Sequence, residues 1–168
     1  MKLVFASDSF KGTLTQDQIN QILEETAAET LPEWDTVSVP VADGGEGTVA
    51  AVVKATGGTL RQIPVHGPQM EPVTAGYGIL PDGSAVIEMA AACGLTLVPE
   101  AERNPLHTTT FGFGELIADA LLQGCKVISL AIGGSATNDG GMGALRALGW
   151  QFWDKDQKAL PGFGRDLS

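Results

Sequence analysis

The amino-acid sequence predicts an α/β fold, with parallel β-α units first and a mixed sheet with a hairpin in the second part. Short apolar runs alternate with helical patterns over residues 1–58, and a Pro-Asp-Gly turn at 81–83 separates two later strand patterns. Three glycine-rich loops interrupt the chain directly after apolar runs. Alternating strands and helices favour a parallel sheet covered by helices, whereas the turn favours an antiparallel pair.

The first four elements alternate between strand and helix. They are predicted at residues 3–6, 15–31, 37–41 and 50–55. Thr15 and Gln18 have the spacing of a capping box, in which the two residues satisfy free N–H groups at the start of a helix. Pro32 ends this helix, because a proline disfavours helical backbone at the residue before it.

The second half predicts a hairpin, two helices and one further strand. The hairpin strands are 73–79 and 84–89, the helices are 115–123 and a segment ending near 148, and the strand is 127–132. We expect strand 127–132 to be buried, because it is a nearly continuous apolar run.

The organisation of the chain changes near residue 75, where the β-α pattern gives way to the hairpin. We therefore expect residues 1–75 to be the N-terminal part of a split α/β domain and residues 76–168 to start a second one. Residues 162–168 have the character of a loop that leads into a further segment. We expect the chain to be an incomplete fragment for this reason.

Composition and charge limit the possible partners. The 168 residues include 20 acidic and 10 basic ones, and the net charge of −10 disfavours nucleic acid and anionic membranes. No apolar run approaches the roughly 20 residues of a membrane span, and the N-terminus lacks a signal-peptide pattern. Cys93 and Cys125 have neither metal nor disulfide spacing, so we expect two buried thiols in a cytoplasmic protein.

Glycine-rich loops after three of the strands are where we expect chemistry. They are residues 8–12, 43–48 and 133–143. In open α/β sheets, ligands bind beyond the carboxyl ends of the strands, and helix N-termini there supply N–H groups that suit phosphate. Glycine also lets the backbone approach an anion closely, because it has no Cβ.

The loop 133–143 is the strongest single signal. It holds five glycines, two hydroxyls, one amide and one carboxylate, which suits a cradle for ATP phosphates with Asp139 on Mg²⁺. The alternative is a glycine-rich turn in which Asn138 or Asp139 caps the next helix. The loop has neither the Walker A spacing nor the dinucleotide fingerprint, so neither of those mechanisms transfers.

The other two loops each carry a pair of charged residues. Asp43 and Glu46 flank two glycines, which suits a metal ion or a general base, although helix capping explains them equally well. Asp8 and Lys11 form the third pair. Lys11 is the only cation expected beside these loops, and it either neutralises a phosphate or carboxylate or forms a surface ion pair.

Other residues have weaker claims to a site. The hydroxyls of residues 108–110 either serve a substrate or cap the next helix. Glu88 lies at a strand end and needs a partner or a role, because an unpaired buried carboxylate is costly. We expect His66 and His107 to be solvated loop residues.

Five ordered segments carry a family resemblance. They are residues 6–12, 40–48, 87–92, 108–116 and 132–141. Together they resemble the glycerate kinase family of bacterial type, the one that contains glycerate 2-kinases, over nearly the whole chain. Family members are considerably longer and have two α/β domains. Phe113 departs from the pattern, since relatives usually carry a smaller or hydroxylated residue there.

The resemblance implies ATP- and Mg²⁺-dependent phosphorylation of D-glycerate to 2-phosphoglycerate. It implies catalytic roles for Asp43, Asp139 and Lys11, with Asp43 or Asp139 holding the metal or accepting the hydroxyl proton. The residues implied to bind phosphate or substrate come from all three loops: Asp8, Ser9, Gly44, Gly45, Glu46, Gly133, Gly134, Ser135, Thr137 and Asn138.

Two other interpretations stay open at this point. One is a truncated remnant without catalytic activity, and the other is an unrelated glycine-rich α/β module that binds a nucleotide or an anion. We expect the 168-residue chain by itself to lack kinase activity and to aggregate, because apolar faces meant for further segments would be exposed.

Overall fold

The computed structural model describes residues 1–10, 13–39 and 41–167, and it has the mixed α/β character that the sequence predicts. The chain forms two compact units, residues 1–43 and residues 44–168. In the described part of the chain, no helix is both long and apolar enough to cross a membrane. The predicted boundary near residue 75 falls inside a strand, and the division of the longer protein into domains stays a prediction.

The first unit is a β-α-β unit. It contains β1 (Lys2–Phe5), α1 (Gln16–Thr30) and β2 (Asp35–Ser38), and the two strands are parallel, with Lys2 opposite Asp35. The predicted capping box is present in full: Thr15 Oγ1 accepts from Gln18 N–H at 3.3 Å, and Gln18 Oε1 accepts from Thr15 N–H at 2.8 Å. The parallel β-α prediction is therefore confirmed for this unit.

The second unit is built around a mixed four-stranded sheet. Its elements are α2 (Thr48–Thr56), β3 (Thr59–His66), β4 (Pro72–Ile79), β5 (Ala85–Glu88), α3 (Ala90–Cys93), α4 (Phe111–Leu122), β6 (Ile128–Ala131) and α5 (Met142–Ala147). The strand order is β3-β4-β5-β6, with antiparallel pairs except for the parallel pair β5-β6. The predicted hairpin is confirmed as β4 and β5.

The core of the second unit lies between this sheet and α4. Tyr77, Ile87 and Leu116 are fully buried there, together with Cys93. Both cysteines are free and buried, as the sequence predicts, and burial raises the pKa of the Cys93 thiol to about 12. Phe113, the departure from the family pattern, is 3% exposed and packs in the same core.

Two strands differ from the sequence expectation. Strand β3 was not predicted, because its polar residues and Pro64 obscure the strand pattern; it lies at the edge of the sheet, where proline is tolerated. Strand β6 was expected to be buried and is not, because it forms the opposite edge of the sheet. The flanking Val127 and Ile132 are 65% and 68% exposed.

A polar cluster fastens α4 to the sheet. The carboxylate of Asp119 accepts from Arg61 Nε at 2.6 Å and Nη2 at 3.1 Å, and from the hydroxyl of Tyr77 at 2.7 Å. The hydrogen bond to Arg61 is the main reason that the pKa of Asp119 lies below its usual range. Burial, followed by the hydrogen bond to Asp119, raises the pKa of Tyr77.

The Asp119 cluster generates a stability prediction. Asp119→Ala leaves the buried Tyr77 hydroxyl without this acceptor, so we expect a loss of about 1–3 kcal/mol in the free energy of unfolding at pH 7. The matched double variant with Tyr77→Phe should lose less than the sum of the two single changes. Urea unfolding followed by tryptophan fluorescence measures both, and an unchanged midpoint for Asp119→Ala would contradict the assignment.

The same cluster fixes the sign of a pH effect. Because the pKa of Asp119 is lower in the folded state, its stabilisation is fully present above the unfolded value of about 4. It is lost as the pH falls through the folded pKa. The difference in unfolding free energy between the wild type and Asp119→Ala should therefore be constant near neutrality and shrink in acid, as measured by urea titrations across pH.

Candidate active site

The glycine loops 44–47 and 133–137 meet at one edge of the second unit. Strands β5 and β6 are parallel, so their carboxyl ends and the segments that follow lie at the same edge. Gly133 N–H donates to the Gly44 carbonyl at 2.7 Å. A Cβ on Gly133 would lie 2.8 Å from the nitrogen of Gly45, so only glycine fits this contact. The structure thus joins two of the three predicted loops.

Glu88 holds the start of α2 at this edge. Its carboxylate accepts from Val49 N–H at 2.8 Å and from Gly47 N–H at 3.3 Å, and the side chain is 8% exposed. These are N–H groups of the helix N-terminus, which favours negative charge. The expectation that Glu88 has a partner is confirmed, and its carboxylate occupies the place where an external anion would otherwise bind.

Asp139 is the most heavily bonded side chain of the loop 133–143. Its Oδ2 accepts from Thr110 N–H at 2.7 Å, Thr110 Oγ1 at 2.8 Å, Gly143 N–H at 3.0 Å and Thr109 Oγ1 at 3.4 Å. Its Oδ1 accepts from Gly141 N–H at 3.0 Å. With 1% exposure, this carboxylate joins the loop to the starts of α4 and α5.

Two glycines, which have no side chain, allow α4 and α5 to pack closely beside Asp139. A Cβ on Gly114 would lie 2.6 Å from the Cα of Ala144, and one on Gly143 would lie 2.7 Å from Phe111 N. Helix α4 starts at Phe111 rather than at the predicted residue 115, because glycines inside a helix weaken its sequence pattern.

The final segment is fastened to the same region. Gly162 accepts from Thr109 Oγ1 at 2.6 Å, and Gly164 N–H donates to the Thr108 carbonyl at 3.2 Å. Residues 164–167 form a 3₁₀ turn, and both glycines are buried. Residues 164–167 are thus a turn packed against this region, while Ser168 lies outside the described residues.

A cleft of about 250 Å³ opens beside residues 135–137 of the loop 133–143. Its wall comes from Leu95, residues 103–105, Thr108 and residues 135–137. Ser135 Oγ and Thr137 Oγ1 are hydrogen-bonded at 2.7 Å, so the structure brings these two predicted residues together. Arg103 lies in the same wall, which corrects the expectation that Lys11 is the only cation beside the loops.

The local sequence could not have identified Arg103. It is separated by more than 30 positions from Ser135, and one 3₁₀ turn, α4 and β6 lie between them along the chain. The only local signal was the Asn104-Pro105 pair, which marks a turn. Asn104 caps this turn by accepting from Leu106 N–H at 3.0 Å.

The structure also corrects the prediction for His66. Instead of lying in a solvated loop it ends β3, where its Nδ1 is 2.9 Å from Glu115 Oε1 and its N–H donates to Glu115 Oε2 at 2.7 Å. Its ring also meets that of Phe111 edge-on, with centroids 5.4 Å apart. His107 is exposed in the 3₁₀ turn 105–107.

The remaining predicted residues are divided between the two units. Asp8 is half-buried, and its Oδ1 accepts from Ser9 N–H at 2.7 Å. Asp43 is exposed and ends this unit, and Glu46 is exposed at the start of the second one. Lys11 lies outside the described residues. Asn138 is exposed in the loop 133–143.

The sequence of the chain matches the model of the glycerate kinase family over residues 3–168. The chain belongs to the glycerate kinase family. The resemblance carried by the five segments is thereby confirmed, and the glycine loops described above are part of the matched region.

Individual relatives agree with this assignment. The chain is 51% identical to a glycerate 2-kinase of Escherichia coli K12 and 50% identical to a glycerate kinase of Haemophilus influenzae, over 98% of its own length and 43% of theirs. Its structure is similar to a crystal structure from Salmonella typhimurium LT2 described as glycerate kinase 2, with a TM-score of 0.78 and 47% identity, over 98% of this chain and 44% of that one. The chain thus spans less than half the length of these relatives.

The bonding of Asp139 generates a second stability prediction. Both of its oxygens accept hydrogen bonds, so Asp139→Asn must turn an NH₂ group toward a donor, and we expect the protein to lose about 1–3 kcal/mol of stability. Thermal melting measures this loss, and an unchanged melting temperature would contradict the bonding pattern.

Asp154→Asn is the matched control. There both backbone donors, from Asp156 at 2.8 Å and Lys158 at 2.9 Å, bind the single oxygen Oδ1. An asparagine can present its oxygen to both donors, so this variant should melt within a degree or two of the wild type if its loss is a few tenths of a kcal/mol.

Proposed function

We propose that the protein containing this chain transfers the γ-phosphoryl group of ATP to D-glycerate and yields 2-phosphoglycerate. One observation carries the proposal: in a member of the glycerate kinase family, two glycine-rich loops are joined at the carboxyl edge of parallel strands β5 and β6. Ligands bind at this edge in α/β sheets. The names of the relatives support the substrate.

The chemistry that we propose for the loops is mainly positioning. Phosphoryl transfer requires little covalent participation by the protein, and it depends on holding the reacting groups in line and stabilising charge. We assign phosphate or substrate binding to the glycine loops of the second unit, through Gly44, Gly45, Glu46, Gly133, Gly134, Ser135, Thr137 and Asn138. Asp8 and Ser9 are assigned the same role from the first unit.

We divide the three candidate catalytic residues by their surroundings. Asp139 is buried with both oxygens bonded, so we assign it to positioning the loop rather than to contact with the substrate or a metal. Asp43 is exposed, and we propose it as the acceptor of the hydroxyl proton or as a metal ligand. We propose that Lys11 neutralises negative charge on phosphate or carboxylate.

Magnesium fits the residues that are present. Carboxylates are suitable ligands, and Mg²⁺ in kinases is held by one or two of them together with substrate phosphates. Within the described ranges, no three His, Cys, Asp or Glu side chains cluster as a metal site, so an all-protein cage is not what we propose. Asp43 is the proposed ligand, and the ion would screen the phosphate charge. The buried free thiols suit the reducing cytoplasm, where we place the reaction.

The reaction is tested on the whole native protein with D-glycerate and Mg·ATP. Enolase acts on 2-phosphoglycerate directly, so product detection should be immediate with enolase alone and should not require added phosphoglycerate mutase. A signal that appears only with the mutase would place the phosphate on the other hydroxyl. No ADP formation with any glycerate isomer would overturn the proposed function.

Asp43 provides the most direct mutational test. Asp43→Asn removes the proposed proton acceptor or metal ligand, and we expect kcat to fall by at least about 100-fold. Asp43 is exposed, and melting curves of the variant should show that it folds. Asp35→Asn, an exposed aspartate at the start of β2 in the same unit, is the control and should keep wild-type kcat. A wild-type rate in Asp43→Asn would remove this residue from the mechanism.

A further inference from the structure

The cleft beside Arg103 has a chemical character that a phosphate cradle does not require. We propose that this cleft binds the carboxylate of the substrate hydroxy acid, and that Arg103 is the residue that selects for that charge. The inference rests on the proposed function and assigns the recognition of the acid to one wall of the site.

The guanidinium of Arg103 is fixed at one nitrogen only. Its Nε donates to the carbonyl of Val98 at 3.3 Å, and Val98 is 2% exposed, so the anchor is part of the packed interior. Among the described residues this is the one hydrogen bond of the side chain, which leaves both Nη groups for a ligand. A planar pair of N–H donors matches the two oxygens of a carboxylate.

The residues Ser135 and Thr137 of the same cleft offer one more donor to an anion. Ser135 and Thr137 share a hydrogen bond at 2.7 Å, and Ser135 Oγ also accepts from Thr137 N–H at 3.0 Å. Two hydroxyls that share one bond use one of their two protons. Whichever hydroxyl donates inside the pair, the other keeps a proton for a ligand oxygen.

Two further lining residues, Thr108 and Asn104, complement a hydroxyl group beside the carboxylate. Thr108 Oγ1 uses its proton on the carbonyl of Ala136 at 2.9 Å, so toward a ligand it can only accept. The Asn104 oxygen is occupied by Leu106 N–H, which leaves its NH₂ group as a donor. One cation, further donors and one acceptor are the set that a 2-hydroxy acid requires.

Size and charge favour the small acid over the triphosphate. The cleft measures about 250 Å³, and Arg103 is its single cation. None of the described residues in its wall is a carboxylate, so Arg103 is the one charged side chain of this wall although the chain carries a net charge of −10. A singly charged acid is balanced by one guanidinium, whereas phosphoryl groups of ATP call for several cations.

The test compares Arg103→Gln with the wild type in the whole native protein. We expect the KM for D-glycerate to rise by about 10- to 100-fold, the loss typical of a charge-assisted hydrogen bond, while the KM for ATP stays unchanged. Arg103→Lys keeps the charge without the planar pair of N–H donors. Its KM for D-glycerate should lie between those of the wild type and Arg103→Gln. Glycerol lacks the carboxylate, so the ratio of kcat/KM for glycerate to kcat/KM for glycerol should fall by a similar factor in Arg103→Gln.

Lys126→Gln is the matched control, because it removes an exposed cation just before β6, at the opposite end of that strand from the loop. It should leave both KM values unchanged, and melting curves should show that both variants fold. A rise in the KM for ATP alone in Arg103→Gln would mean that the cleft binds phosphate, and unchanged KM values would mean that it binds neither; both results overturn the inference.

Calorimetric titration with D-glycerate separates this inference from the proposed function. If the wild type transfers phosphate and Arg103→Gln keeps its KM for glycerate, the assignment of the cleft fails and the function stands. If no phosphate is transferred but glycerate binds the wild type and not Arg103→Gln, the function fails and the cleft stands.

Discussion

The second unit depends on one buried carboxylate. Asp139 has five hydrogen bonds from donors in three places: its own loop, the start of α4 and the start of α5. Such an arrangement makes a buried charge tolerable, because hydrogen bonds to the charged form replace the water that it has lost. Through Thr109, which also donates to Gly162, the same cluster reaches the final described segment. The shape of the glycine loop and the packing of both helices are thus determined together.

The protein uses backbone N–H groups where other proteins use cations. Glu88 is bonded to the N-terminus of α2 and Asp139 to N–H groups around α5, and neither carboxylate has an ion pair among the described residues. The use of backbone N–H groups as partners for carboxylates suits a chain with twice as many acidic as basic residues. Arginine instead contacts the half-buried Asp119 through Arg61 and lines the cleft through Arg103.

Short sequence patterns predicted those features of the fold that interactions between residues close in sequence determine. The capping box of α1 and the hairpin follow from short sequence signals, and the structure confirms both. The position of a strand in its sheet is not local: an apolar run indicates a strand at 128–131, but only pairing places it at an edge, where its flanks are exposed. The sequence did not identify Arg103 as a site residue for the same reason, since it lines a cleft together with Ser135 only after the chain has folded.

The tight helix crossing also determines how this sequence can drift over generations. Every missense change at Gly114 or Gly143 adds a Cβ where backbone atoms already lie, so selection for a folded protein is by itself enough to retain both glycines. Exposed Asn138 and Glu46 have no such packing constraint. Among descendants that still fold, the exposed pair would therefore vary more freely than the two glycines.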